Sequence, residues 1–212
     1  MSKFPRWTRK IRYYVGIGVP LKLILLVGII WYYFSPKFLN VGYEPEQPIP
    51  FSHKLHAGTL GLDCRFCHTS VENSGFAAVP TLQTCVGCHN KVKKDSPRLK
   101  PLWDAIKNET SVPWTRVHKL PRYSHFDHSV HLNVGVGCKE CHGRVDKMEV
   151  IRQDQPLNMG WCLDCHRNPK PHLRPKDQVT NMTYKPSEQE QESLFQSLKP
   201  EAPTSACGAC HY

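Results

Sequence analysis

The sequence has little material for an ordinary hydrophobic core. Hydrophobic residues make up 40% of its 212 residues, and many of them fall in one stretch near the start. The chain carries 18 prolines and 13 glycines, and beyond residue 40 it has few long periodic segments, which argues against a helix bundle or a regular sheet there. Something other than side chains must therefore fill the interior of this part.

No cysteine falls outside one five-residue pattern, Cys-x-x-Cys-His. The pattern occurs five times: Cys64, Cys67 and His68; Cys85, Cys88 and His89; Cys138, Cys141 and His142; Cys162, Cys165 and His166; Cys207, Cys210 and His211. We number these motifs 1 to 5. The two thiols of such a motif add to the vinyl groups of a haem, and the following imidazole reaches the iron from the proximal side. We therefore predict five covalently bound c-type haems.

Zinc ribbons, thioredoxin-like redox pairs and disulfide frameworks also use Cys-x-x-Cys, but none of them requires histidine at the next position. With 12 histidines in the chain, a chance histidine after all five pairs has a probability on the order of 10⁻⁶. Residues 41–212 offer roughly 34 residues per haem, too few for a separate apolar core around each one. The porphyrins themselves must form the core.

Acidic residues are absent from residues 1–37, where seven lysines and arginines lie. About +3 of the formal net charge of +10 remains for the rest of the chain, and the propionates of five haems would outweigh it. We attribute the basic excess to a membrane flank and to counter-charge for propionates, and we expect no nucleic-acid partner.

One apolar stretch, residues 13–34, has the 22 residues that a bilayer-spanning helix needs. Lys22 interrupts it and is expected to snorkel toward the headgroups. We predict a cytoplasmic basic flank over residues 1–12, a transmembrane anchor over 13–37 and a linker over 38–50. A cleaved signal peptide and a buried helix are the alternatives, but the run ends in aromatic residues with no small-x-small site after it. The positive-inside rule places the haem domain on the periplasmic side of a bacterial inner membrane.

An internal repeat organises the chain after the linker. Phe51-Ser-His53-Lys-Leu-His56 precedes motifs 1 and 2, and Phe126-Asp-His128-Ser-Val-His131 precedes motifs 3 and 4, with offsets of 75, 75, 74 and 77 residues between matching markers. We predict a duplicated two-haem module. Module 1 covers residues 51–112, an extended strap and module 2 cover 113–170, and a tail with the fifth haem covers 171–212. Ser187 and Glu190 predict a capping box and a surface helix of about eleven residues ending at Pro200.

Seven histidines remain as candidates for the distal iron ligands of low-spin haems. Histidines three residues apart in a helical turn lie on one side and can reach two neighbouring haems. We therefore predict four distal ligands: His53, His56, His128 and His131. For the fifth position His118 in the strap is the first candidate, with His172, Met148, Met159 and Met182 as alternatives. His125 is expected at the surface or beside a ligand. Phe51, Phe126, Trp114 and Trp161 are expected to pack against haem.

The order of these features resembles the pentahaem cytochrome subunit of alternative complex III. The likeness rests on the basic flank and single membrane helix, F-S-H-K-L-H-A-G, D-C-R-F-C-H-T-S, W-T-R-V-H-K-L-P, F-D-H-S-V-H, M-G-W-C-L-D-C-H-R-N-P and the final C-x-x-C-H. Residues 51–170 are also similar to small c7-like and c3-like multihaem cytochromes. The resemblance implies a class III, c7-like multihaem fold with a haem core, short helices and much irregular structure, plus the N-terminal transmembrane helix.

The same resemblance implies a quinol:electron-acceptor oxidoreductase. In such a complex membrane subunits bind quinol, an iron-sulfur subunit passes electrons on, and this chain would relay them to a monohaem cytochrome c or a terminal oxidase without a catalytic site of its own. Two other functions compete: a membrane-anchored multihaem quinol dehydrogenase that oxidises quinol itself, and a multihaem reductase of a small oxyanion. A reductase needs an open iron position, which a surplus of distal ligands disfavours.

Overall fold

The computed structural model describes residues 5, 7–34, 40–198 and 206–212. The chain divides into two units, Met1–Asn40 and Val41–Tyr212. Parts of the predicted basic flank, anchor and linker lie outside the described residues, as does Pro200, the predicted end of the last helix.

The first unit is helical from residue 8 to residue 34. Helix α1 (Thr8–Tyr13) continues through a π-helical turn (Tyr14–Gly18) into α2 (Val19–Phe34). Within the described residues, Lys10–Phe34 is the one helix long and apolar enough to cross a membrane, judged by length and composition. None of the side chains of α2 is buried. A long and mainly apolar helix with exposed side chains is suited to a lipid environment.

The second unit consists of short helical segments joined by irregular chain. The α-helices are α3 (Cys64–Cys67), α4 (Leu82–His89), α5 (Lys100–Lys107), α6 (His128–Asn133), α7 (Cys138–His142), α8 (Met159–Arg167) and α9 (Glu188–Gln196). A π-helical turn covers Lys54–Thr59, and 3-10 turns cover Pro97–Leu99, Val145–Lys147, Lys170–His172, Lys176–Gln178 and Cys207–Ala209. The short helices and irregular structure expected from the sequence are confirmed.

Side chains contribute little to the interior of the second unit. In the part of the chain that the structure describes, β-structure is limited to one isolated antiparallel bridge between Val136 and Leu173. The buried hydrophobic side chains are Ile49, Val71, Leu102, Ala105, Val117, Leu132, Met148, Leu173 and Val179. The buried cluster formed by Val71, Leu132 and Val179 is too small to hold more than 170 residues together. The shortage of core inferred from composition is therefore present in three dimensions.

The helix predicted after Ser187 is present but shorter than expected, with nine residues. The Ser187 hydroxyl accepts a hydrogen bond from the Glu190 backbone N–H at 3.2 Å, as an N-cap should. The Glu190 carboxylate instead accepts from the Tyr184 hydroxyl at 2.8 Å. The predicted capping box is thus only half formed, because a tertiary donor has taken the carboxylate.

Candidate haem-binding sites

Each of the five Cys-x-x-Cys-His motifs begins or lies within a helical turn. Motif 1 forms α3, motif 2 ends α4, motif 3 forms α7, motif 4 lies in α8, and motif 5 begins with the 3-10 turn Cys207–Ala209. Residues three and four apart in a helical turn share one side, so each motif presents two thiols and one imidazole together. All ten cysteines are free thiols, as attachment to vinyl groups requires.

The cysteines and histidines are not gathered into a site that would hold a bare metal ion. Among the described residues, which include every cysteine and histidine of the chain, no group of three or more His, Cys, Asp or Glu side chains has the arrangement of an ion site. A zinc ribbon would bring two Cys-x-x-Cys pairs around one ion. The described residues contain no such arrangement.

Three of the predicted distal histidines lie opposite a proximal histidine at a nearly constant distance. The ring centroids are 6.2 Å apart for His56 and His89, 6.4 Å for His128 and His142, and 6.0 Å for His131 and His166. Two iron–nitrogen bonds of about 2 Å, plus about 1.2 Å from each nitrogen to its ring centre, add up to roughly 6.4 Å. The gap in each pair fits one iron atom between two imidazoles.

His53 is the remaining predicted distal histidine. Burial, followed by the imidazoles of His68 and His56, lowers the pKa of His53 to about 4. The Nδ1 atom of His53 is buried and has no hydrogen-bond partner among the described residues. In the second repeat His128 and His131 face the proximal histidines of motifs 3 and 4, and the matching pair of His53 with His68 stays a prediction.

Most of these imidazoles are oriented through Nδ1, which leaves Nε2 for iron. Nδ1 lies within hydrogen-bond distance of a backbone carbonyl oxygen in six of them, at 2.7–2.9 Å: Ser52 for His56, Ala78 for His68, Val92 for His89, Gly75 for His128, Asp127 for His131 and Tyr123 for His211. Histidines that ligate metals commonly donate their second ring N–H in this way, which fixes the tautomer and the ring orientation.

The phenylalanine at the start of each repeat packs against both distal imidazoles. The Phe51 ring meets His53 edge-on at 4.9 Å and stacks on His56 at 4.3 Å. The Phe126 ring meets His128 edge-on at 4.8 Å and stacks on His131 at 4.4 Å. The packing of these rings against haem stays a prediction, and the structure shows them in contact with the histidines proposed as distal ligands. The signal in the sequence was the identical place of Phe two residues before each pair.

Two imidazoles proposed as iron ligands, those of His142 and His131, are held in the neutral form by burial. Burial, followed by the neighbouring rings of His118 and His128, lowers the pKa of His142 to about 3. Burial also lowers the pKa of His131. Iron binds neutral imidazole, so both rings are ready for ligation at neutral pH without losing a proton.

The first candidate for the fifth distal position, His118, has a different neighbour. Its Nε2 lies 3.3 Å from Nδ1 of His142, and the two rings meet edge-on at 4.4 Å. In the described part of the chain neither His118 nor His172 has a ring contact with His211, whose ring meets that of Tyr123. The assignment of His118 as the fifth ligand stays a prediction, and the geometry gives this residue the place of a hydrogen-bond acceptor for His142.

The remaining candidates differ in their surroundings. His172 Nδ1 lies 2.9 Å from a carboxylate oxygen of Glu140, inside motif 3, and that arrangement leaves Nε2 available. Met148 is buried and Met159 is 63% exposed, while Met182 is half-buried. His125 is exposed and its ring stacks on Tyr212 at 4.0 Å, which agrees with the surface position expected for it.

A buried charged cluster at motif 3 was missed in the sequence. Glu140 pairs with Arg174, which is 2% exposed and whose Nε has no hydrogen-bond partner in the part of the chain that the structure describes. Burial opposes ionisation of Glu140, but His172 and Arg174 together lower its pKa. Gly137 gives the guanidinium its space, since a Cβ there would collide with it. A buried arginine with a spare N–H is a suitable donor for a carboxylate such as a haem propionate.

Comparison with known proteins supplies one informative relative. The chain is 32% identical over 178 residues to the "Menaquinone reductase, multiheme cytochrome c subunit" of Nitratidesulfovibrio vulgaris (strain Hildenborough), an alignment that covers 72% of this chain and 82% of that protein. No protein-family model matches the chain.

Proposed function

The chain belongs to the family of multihaem c-type cytochromes that includes this menaquinone reductase subunit, and on that premise we propose that it is a membrane-anchored electron-transfer subunit carrying five haems in a quinol oxidoreductase complex. Bound haem c supplies a one-electron Fe(III)/Fe(II) couple. The observation that carries the proposal is the set of three imidazole pairs at 6.0–6.4 Å. Two strong-field ligands per iron let the oxidation state change without loss of a ligand, which suits transfer rather than catalysis.

Different residues of the chain would attach the haems and ligate their irons. The ten motif cysteines would form the thioethers, and His68, His89, His142, His166 and His211 would be the proximal ligands. His53, His56, His128 and His131 would be the distal ligands. For the fifth distal position we now place His172 ahead of His118, because its Nδ1 is engaged by a carboxylate whereas Nε2 of His118 faces His142. Met148, Met159 and Met182 are the other candidates.

The wider complex is proposed from the resemblance to alternative complex III. Membrane and iron-sulfur subunits would deliver electrons from quinol, and a monohaem cytochrome c or a terminal oxidase would accept them. The apolar helix Lys10–Phe34 supports anchoring in the bilayer. The basic residues before this helix support a location of the haem domain on the periplasmic side of a bacterial inner membrane.

A second candidate function follows from the name of the relative, whose complex reduces menaquinone. In that case the same chain would carry electrons toward the quinone instead of away from it. The two directions of electron flow can be distinguished experimentally. With the whole complex in membranes, added menaquinol should reduce the haems if electrons leave the quinol, whereas a reduced external cytochrome should be oxidised on addition of menaquinone if they run the other way.

An experiment on the purified chain tests the proposal that this subunit does not itself oxidise quinol. Full-length protein with its haems attached, but free of partner subunits, should show no change in its haem absorption bands when a quinol is added. The same quinol should reduce the haems of the intact complex. Reduction of the isolated chain at a comparable rate would contradict the proposal and support a membrane-anchored quinol dehydrogenase.

A further inference from the structure

The two repeats exchange contacts, each holding the distal histidines of the other. His128 Nδ1 lies 2.8 Å from the Gly75 carbonyl, in the loop after motif 1. In the other direction, the Lys54 backbone N–H donates to the Met148 carbonyl at 2.9 Å, in the segment after motif 3. Gly58 is required there, because a Cβ would collide with the Asp146 carbonyl. Since each exchange involves the first motif of a repeat, motifs 1 and 3 must adjoin.

A second set of contacts joins the same two motifs directly. Thr180 Oγ1 donates to the Asp63 carboxylate at 2.8 Å, immediately before motif 1. The Cys138 backbone N–H, at the start of motif 3, donates to the Val179 carbonyl at 3.0 Å. The thiol of Cys64, together with burial, raises the pKa of Cys138. Cys64 and Cys138 occupy matching places in the repeat, so the two copies face each other through their first motifs.

Motifs 2 and 4 lie on the outer sides of this central pair. His53 and His56 lie at one helical turn, where His56 faces His89 of motif 2 and His53 is the proposed ligand for motif 1. His128 and His131 share α6 and face motifs 3 and 4. Each distal pair therefore joins an inner motif to an outer one.

Motif 5 adjoins the outer side of module 2. The His125 backbone N–H donates to the Cys210 carbonyl at 2.8 Å, and Nδ1 of His211 lies 2.7 Å from the Tyr123 carbonyl. Residues 123–125 lead directly into α6. Within module 2, motif 3 already adjoins motif 1, whereas His131 of α6 faces motif 4 on the outer side, so we place motif 5 beside motif 4.

We propose that the chain holds its haem-binding motifs in the spatial order 2, 1, 3, 4, 5, with motifs 2 and 5 at the ends. Cys88 of motif 2 and Cys207 of motif 5 are exposed, whereas both cysteines and the histidine of motif 3 are only partly accessible. The ends are accordingly the places where partner proteins exchange electrons. That role rests on the proposed function, but the order of the motifs does not.

Counting magnetic neighbours tests the order. In the full-length, haem-loaded protein, His56→Ala converts the haem at motif 2 to high spin, and His128→Ala does the same at motif 3. In low-temperature EPR, His56→Ala should perturb the low-spin signal of one neighbouring haem. His128→Ala should perturb the low-spin signals of two neighbouring haems. Two perturbed neighbours for His56→Ala, one for His128→Ala, or no high-spin signal in either variant would overturn the order or the ligand pairs on which it is built.

A distance measurement keeps the test independent of the ligand variants. Gadolinium labels are attached in pairs, and each protein carries new cysteines at two of three exposed positions. The positions are Leu60 before motif 1, Val92 after motif 2 and Tyr212 after motif 5. In the fully reduced protein low-spin haem is diamagnetic, so only the labels contribute. The separation of positions 92 and 212 should be the longest of the three. A longer separation between positions 60 and 212 would overturn the order while leaving electron transfer by the subunit untouched.

Discussion

Replacing His118 tests whether its hydrogen bond to His142, the proposed proximal ligand at motif 3, changes the reduction potential of the haem at that motif. The other proximal histidines whose Nδ1 contacts are seen, those of motifs 1, 2 and 5, face backbone carbonyls. His142 instead faces a side chain, the Nε2 atom of His118 at 3.3 Å. The substitution His118→Leu removes this acceptor while keeping an apolar side chain of similar size beside buried Val117.

The size of the effect follows from the hydrogen bond. An acceptor at Nδ1 makes the ring a more basic ligand, which favours Fe(III) over Fe(II). If the oxidised state gains about 1 kcal/mol more from this bond than the reduced state does, its loss should raise one reduction potential by about 40 mV, because a tenfold change in a one-electron equilibrium is about 59 mV. The other four potentials should stay within a few millivolts of their original values.

A spectroelectrochemical titration combined with low-temperature EPR measures both quantities. The His118→Leu protein should keep all haems low-spin and show one raised potential, and His118→Gln should restore much of the original value because its amide oxygen can accept from Nδ1. His125→Leu at the exposed position is the matched control. A new high-spin signal in His118→Leu would show instead that His118 is the fifth distal ligand, and five unchanged potentials would show that the hydrogen bond has no effect.

Three further changes test other parts of the account. Phe126→Ala removes the edge-on contact to His128 and the stacking contact to His131, each worth about 0.5–1.5 kcal/mol. EPR should therefore show altered ligand geometry in two haems. Phe76→Ala, at a 71% exposed position, should leave the spectrum unchanged. The hydrogen bond from Arg65 is the main cause that lowers the pKa of Asp63 from 3.8 to about 2, so its stabilising effect is complete above pH 4 and lost as the pH falls through 2. Asp63→Asn should therefore flatten acid unfolding in that window, followed by circular dichroism, and an unchanged profile would contradict a role for this carboxylate. A reporter enzyme fused after Tyr212 should be active only outside the cytoplasm, and cytoplasmic activity would contradict both the anchor and the orientation.

The residue pattern determines the chemistry of this chain more fully than its fold. The five motifs, the repeat and the two pairs of histidines proposed as distal ligands are visible in the sequence, because covalent attachment and iron ligation demand particular residue types at fixed spacings. The places of His118 and of the cluster of Glu140, His172 and Arg174 were not. They depend on how the strap and the tail pack against module 2. No local spacing in the sequence reports contacts between segments more than twenty residues apart, such as His118 with His142 and Glu140 with Arg174.

The reciprocal packing of the repeats was hidden for a related reason. The repeat predicted two similar modules, and a duplicated sequence is equally compatible with two separate bodies or with two copies that interlock. The choice is made by contacts such as His128 with Gly75 and Lys54 with Met148. Each of these contacts uses at least one backbone group, which is present in every residue and therefore leaves no mark on the composition.

The central claim is that this chain holds its irons between pairs of imidazoles. Near-infrared magnetic circular dichroism of the fully oxidised, full-length protein, normalised to the haem content per chain, measures this directly, since bis-histidine and histidine–methionine haems give separate bands. The account predicts five haems, of which at least four give the bis-histidine band. A spectrum with fewer than four bis-histidine haems per chain would contradict it.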